Sequence, residues 1–208
     1  MSGSPTVVAV ASHACVIIDY GTGRTELRSV SAKTAGLRGT TVLLGDAAPS
    51  WGTVDVPAVL PGRVVVPLRW RIGAVLAVTF VAVAGRMCRR HKRFARMVAL
   101  ACCGRALRPA TDRQTWHALH AVRWVSCAVP ARWACLEQST AAAVLLAAAR
   151  RRAEWRHGVA MDPVRLHAWI VDSQDRPVAE PDDTALYTVV HTPDGPGAVR
   201  ADRNGRTS

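Results

Sequence analysis

Ala134-Cys135-Leu136-Glu137-Gln138-Ser139 opens a run, Thr140 to Arg152, that reads TAAAVLLAAARRR. Alanine and leucine are the strongest helix formers. Arg150, Arg151 and Arg152 close the run, where cations meet the negative end of a helix macrodipole. A helix of about 17 residues is expected, with Cys135 in its first turn. The free N–H groups and the dipole at that end favour a thiolate. Thirty-two residues on, His167 stands in His167-Ala168-Trp169-Ile170, which reads as a strand. Asp172-Ser173-Gln174-Asp175 reads as a hairpin turn, and Arg176-Pro177-Val178-Ala179-Glu180 as a second strand. A nucleophile on a helix start, a base on a strand and an acid on the next strand supply the three parts of a thiol-based acyl-transfer site.

The 208 residues suffice for one medium domain or two small ones, and half of them are apolar, enough for a core. Lys+Arg 27 against Asp+Glu 15 gives a net charge of +12. Such a balance suits an acidic partner, a nucleotide or a membrane surface, and equally a plainly solvated arginine-rich surface. The six cysteines are Cys15, Cys88, Cys102, Cys103, Cys127 and Cys135, with no CxxC pair and no zinc spacing. No metal or organic cofactor is indicated. The N-terminus shows no secretory pattern, so a cytoplasmic protein with free thiols is expected.

Thr6–Val10, Ala14–Tyr20 and Thr25–Val30 read as strands joined by turns, with Cys15 in a core. A short helix is expected over Ser31–Arg38. Breakers crowd residues 45–63, which read as a linker. Ile72 to Gly85 is an uncharged run of 14 residues. A bilayer span needs about 20, so a buried helix is expected. Six of the eleven residues Arg86–Arg96 are Arg or Lys. That run could grip phosphates or an acidic peptide, though such runs are more often solvated helix faces. Asp112–Val129 reads as a helix capped by Thr111 or Asp112 and ended by Pro130. On it, His117 and His120 suit surface or core-edge positions rather than ligation. The tail from Pro193 reads as frayed.

Several motifs resemble those of the B proteins of lasso-peptide biosynthesis, which remove leader peptides and have a transglutaminase-like cysteine-protease core. Arg108-Pro109-Ala110-Thr111 is similar to the family's R-P-A-T. Cys135-Leu136-Glu137-Gln138-Ser139 is similar to C-L-x-[RQ]-S. Gly158-Val159 and Pro163 stand before His167-Ala168-Trp169-Ile170, and Arg176-Pro177-Val178 and Glu180-Pro181 follow. These are similar to G-V-x-x-x-P-F-x-x-H-A-W-V…G-R-P-V-x-E-P. The turn before Arg176 holds one residue more than the family's and lacks its glycine, and Leu166 replaces a small residue. The likeness covers about residues 64–192.

The resemblance implies an α+β fold: a transglutaminase- and papain-like core of helices followed by an antiparallel sheet over residues 61–208, with a small β-rich module over 1–60 that could bind a leader. It implies a cytoplasmic cysteine peptidase of RiPP and antibiotic biosynthesis. Cys135 would be its nucleophile, His167 its base and Glu180 the orienting acid, with Asp175 and Asp182 as lesser candidates. The partners would be a precursor peptide and a lasso-peptide cyclase, without nucleic acid or membrane association. Two alternatives stay open: another transglutaminase-like amidase or acyltransferase, and a non-catalytic basic protein that binds nucleic acid or a membrane surface through Arg86–Arg96.

Overall fold

The computed structural model of the chain describes residues 6–11, 14–29, 39–43, 65–129, 133–161 and 163–197. The helix expected at 31–38, the linker at 45–63 and the tail beyond residue 197 lie outside the described residues.

Three strands fall where the alternation of side chains puts them: β1 (Thr6–Val10), β2 (Ala14–Asp19) and β3 (Arg24–Ser29). A fourth, β4 (Thr40–Leu43), was not foreseen, because it pairs in parallel with β1 at long range. The sheet order is β3-β2-β1-β4, and every residue of the edge strand β3 is exposed. The β2–β3 turn depends on Asp19, whose carboxylate accepts the N–H groups of Gly21 (2.8 Å) and Thr22 (3.0 Å). Gly23 follows with φ +79°, and a Cβ there would stand 2.8 Å from the His91 carbonyl oxygen, so only glycine fits.

Four helices come next: α1 (Leu68–Met87), α2 (Arg90–Ala101), α3 (Asp112–Ser126) and α4 (Cys135–Ala148). The basic run is not one helix. Cys88 and Arg89 are extended and separate α1 from α2. A capping box begins α3: Thr111 Oγ1 accepts from Gln114 N, and Gln114 Oε1 accepts from Thr111 N. Helix α4 is shorter than expected. Arg150 takes a left-handed φ of 58°, a common helix-ending conformation, and redirects the chain. The short strand β6 (Arg151–Arg152) then pairs with β5 (Arg108–Pro109), and Arg152 forms ion pairs with Asp194 (2.6 Å) and Glu154 (3.1 Å). The closing arginines therefore serve β-pairing and ion pairs rather than the helix end.

The second sheet is antiparallel, in order β10-β9-β7-β8. It comprises β7 (Glu154–Met161), β8 (Val164–Val171), β9 (Thr188–Thr192) and β10 (Gly195–Pro196). β8 contains His167-Ala168-Trp169-Ile170, which the sequence marks as a strand. The strand expected at Arg176–Glu180 is replaced by a single bridge, Val171 to Pro177, with two backbone hydrogen bonds, Asp172 N to Arg176 O (2.9 Å) and Val178 N to Ile170 O (3.0 Å). Helix α4 is the hub and packs on α1, α2, α3 and β8. Ala141, Ala142, Ala143 and Leu146 are buried there, and small side chains let four elements approach one helix. α1, expected to be buried, is buried along one face only. The uncharged run is 14 residues, but the helix around it runs 20, long and apolar enough by length and composition alone to cross a membrane.

Tyr20, at the end of β2, ties the first sheet to the second. Its hydroxyl is hydrogen-bonded to His157 Nδ1 (2.7 Å), and its ring lies 4.2 Å from that of His191. Burial pushes His157 down to about 3 and His191 down to about 4. Histidine in an unfolded chain titrates near 6.5. The stability contributed by keeping both rings neutral is therefore complete above pH 6.5. It is lost as pH falls toward 4 and 3, because only the unfolded chain takes up the protons. Urea unfolding at pH 5 should show a lower stability than at pH 7, on the order of 1–2 kcal/mol per histidine. A His191→Asn variant should show a shallower loss over the same interval. An equal loss in that variant would remove His191 from this account.

Candidate active site

Cys135 is the first residue of α4 and follows Ala134, which is extended (ψ 171°) and offers no capping side chain. The first N–H groups of a helix have no carbonyl four residues back within it. They are thus free to face a thiolate or an oxyanion. Ser139, one turn on, holds the helix to the sheet. Its Oγ accepts from the indole N–H of the buried Trp155 (3.0 Å).

His167 on β8 meets Cys135. Its Nε2 is 3.0 Å from Glu180 Oε2, which leaves Nδ1 as the ring atom for the sulfur. Two aromatic rings flank the imidazole: Trp169, nearly parallel at 5.6 Å, and Tyr187, tilted at 5.2 Å. Trp169 lies across Gly158, where a Cβ would stand 2.6 Å from the indole ring. Gly158 pairs directly with His167, so the glycine makes room for the ring that fixes the histidine plane.

Burial pushes the Cys135 thiol up, but three effects outweigh it and its pKa is lowered: the His167 hydrogen bond, the Ala168 and Leu136 N–H groups, and the charge of His167. For His167, burial favours the neutral ring. Hydrogen bonds and charge from Cys135 and Glu180 prevail and raise it to about 9. The two shifts oppose each other in direction, as a thiolate–imidazolium pair requires.

The structure therefore brings Cys135, His167 and Glu180 together. Asp175 is not among them. It sits in the turn with φ 64° and pairs with Arg156. Asp182, exposed, begins the 3-10 turn Asp182–Leu186. Aspartate tolerates the left-handed region that Asp175 occupies better than most residues. Asp172 closes that turn by accepting from Gln174 N and Arg176 N (2.8 and 2.9 Å).

Sequence reasoning missed two members of the site. Arg123 of α3 donates to Glu180 Oε1 (2.7 Å) and to the carbonyl oxygen of Ala179. Glu180, its side chain 8% exposed, is thus gripped on one oxygen by Arg123 and on the other by His167. The second is Tyr187. No local pattern marks either, since both act across about 20 or more residues of chain. Among the described residues no three His, Cys, Asp or Glu side chains cluster as metal ligands.

Compared with known protein families, residues 74–192 match the transglutaminase-like superfamily. The match spans more than half of the chain, and the protein belongs to that superfamily. Its helices and the sheet that carries His167 are the α+β arrangement such a domain provides. No curated protein and no solved structure matches the chain.

All six cysteines are free thiols. Cys103 and Cys127 are exposed, more so than Cys135. Access and acidity thus point to different thiols. Burial raises Cys103 and pushes Cys102 up to about 12. Brief iodoacetamide treatment near pH 6 should label Cys135 first, because the thiolate reacts. An Arg123→Met variant should label Cys135 more slowly at that pH, by up to about tenfold for each pKa unit regained. Peptide mapping reads both; faster labelling of Cys103 would show that access, not acidity, governs.

Proposed function

We propose that this protein is a cysteine protease that removes the leader from a lasso-peptide precursor. The observation that carries the reading is that each segment of the ordered motif set supplies a residue that builds or supports one site. Arg108-Pro109 pairs with β6, and Thr111 caps the helix that bears Arg123. Cys135 begins α4, Ser139 anchors it, Gly158 admits Trp169, and Val178 bonds back to β8 two residues before Glu180.

In this reading the Cys135 thiolate attacks the scissile carbonyl carbon. The N–H groups at the α4 start hold the oxyanion. His167, already protonated, gives its proton to the leaving amine, and a thioester to Cys135 remains. Water then attacks the thioester, His167 takes its proton, and the leader acid departs with Cys135 regenerated. Glu180 keeps the imidazole oriented and balances its charge. The freed core amine would pass to a cyclase that closes the macrolactam. The exposed edge β3 supports leader capture by addition of a strand.

Cys135→Ala and His167→Ala should each abolish cleavage of the precursor while circular dichroism stays unchanged. Glu180→Gln should slow single-turnover cleavage by on the order of 10³–10⁴-fold, by analogy with triad acids. Asp175→Asn and Asp182→Asn should change it by less than about tenfold. Mass spectrometry of the products checks the reaction class: two fragments mean hydrolysis, whereas a mass gain means acyl transfer and would overturn the protease reading. A folded Cys135→Ala protein that still cuts would refute the mechanism.

A further inference from the structure

Helix α1 has two apolar faces, and the fold uses one. Trp70, Ala74, Ala77, Val78 and Val81 are buried. On the opposite side Leu68, Ile72, Leu76, Phe80, Val83 and Met87 recur every three or four residues and are 47–82% exposed. Thr79 is the one polar side chain between Ile72 and Gly85. A helix that is apolar all round belongs in a core or in lipid, and an outward apolar strip of this extent marks an interaction surface. Twenty residues make it about 30 Å long.

Charge decides what covers it. Residues 65–111 include ten Arg or Lys and no Asp or Glu. Arg69 stands exposed at one end of the strip, and Arg86, Arg89 and Arg90 stand exposed at the other. Trp124 of α3, 58% exposed, flanks the helix with the Arg71 guanidinium 5.1 Å over its ring. A second copy laid along the strip in either direction would set arginines against arginines, and Glu137, the carboxylate beside Arg86, is already paired with Arg93 (3.0 Å). The occupant must be apolar along its middle and anionic around it. The strip is also the outer ridge of one helix, a shape that suits a flat surface.

We propose that this face lies on an anionic lipid bilayer. Helix α1 is parallel to the surface, with Leu76 and Phe80 among the acyl chains and the flanking arginines on headgroup phosphates. The helix does not span the bilayer, because its other face is held by α3 and α4. The sequence reading kept membrane-surface contact as an alternative through the basic run Arg86–Arg96, and the exposed face of α1 supplies the apolar part that reading lacked.

Co-sedimentation of the full chain with phospholipid vesicles tests this. The protein should pellet with vesicles of phosphatidylcholine and phosphatidylglycerol, pellet poorly with phosphatidylcholine alone, and be partly released by high salt. A Leu76→Glu/Phe80→Glu variant should lose at least about tenfold in partitioning, since each side chain gives up its burial in lipid. Its circular dichroism and Cys135 labelling should match those of the parent. An independent Arg89→Gln/Arg90→Gln variant, altered only at exposed positions, should weaken binding to the anionic vesicles. Equal pelleting by the first variant, or no pelleting of the parent, overturns the proposal. So does an oligomer of the parent that the first variant reduces to a monomer in the absence of vesicle binding, which would make the face a contact between copies. An acidic protein partner that replaces vesicle binding would equally overturn it.

Discussion

Everything at the candidate site depends on one contact, the 3.0 Å hydrogen bond between His167 Nε2 and Glu180 Oε2. It fixes which ring nitrogen is left for Cys135, and it places a carboxylate where the imidazole carries charge. Its two partners come from different kinds of structure. His167 lies on a paired strand of the second sheet, while Glu180 lies on irregular chain beyond it. The contact therefore persists only if something outside the sheet holds the irregular segment still. Helix α3 does so at both ends of the segment. Asp112, at its start, accepts from Ser173 N (2.8 Å) and Ser173 Oγ (3.0 Å). Arg123, three turns further along, grips Ala179 and Glu180.

The nucleophile is fixed by a different device. Helix α4 is apolar from Ala141 onward and buried through its middle, from Ser139 to Leu146 with Val144 half-buried. Such a helix cannot tilt or slide without opening cavities in a close-packed interior. The rigidity of the alanine-rich body is passed to Cys135, the first residue to emerge. A more polar helix would also have offered a good first turn, but it would have sat on the surface, free to move away from β8. The composition that made the stretch readable as a helix is the same composition that makes it a rigid mount.

The parts of the site carried by local pattern were legible in the sequence. Alanine and leucine propensity marks α4, β-branched and aromatic residues mark β8, and Thr111 with Gln114 marks the start of α3. What was not legible is what long-range partners impose. The parallel pairing of β4 and the arginines drawn from the helix end into β6 both answer to partners distant in sequence. The exposed face of α1 belongs to the same class: hydrophobicity predicts that a residue seeks an apolar neighbour, not that the fold itself supplies one. Arg123 is the clearest case. It stood in an amphipathic helix at ordinary spacing, and only the fold places it beside Glu180.

A regular strand over Arg176–Glu180 would not have brought Glu180 to His167. Val171 opposite Pro177 and Val178 bonded to Ile170 set the pairing. Continued as a regular strand, that register puts Glu180 opposite Ala168. Cross-strand partners share a face, and Ala168 faces the core, as Ile170 and Val178 do. His167 and Trp169 point the other way. A regular strand would therefore have buried the carboxylate away from the imidazole. Ala179 prevents this. Its φ of +54° is a left-handed conformation that costs a non-glycine residue roughly 1–2 kcal/mol, and it turns the chain between Val178 and Glu180. The side chain is thereby sent to the His167 side. Arg123, bonded to the Ala179 carbonyl and to the Glu180 carboxylate at once, offsets that strain and holds the turn. A strained residue, a half-buried arginine and the orienting acid thus form one unit, and the expected strand had to break for the acid to reach the base.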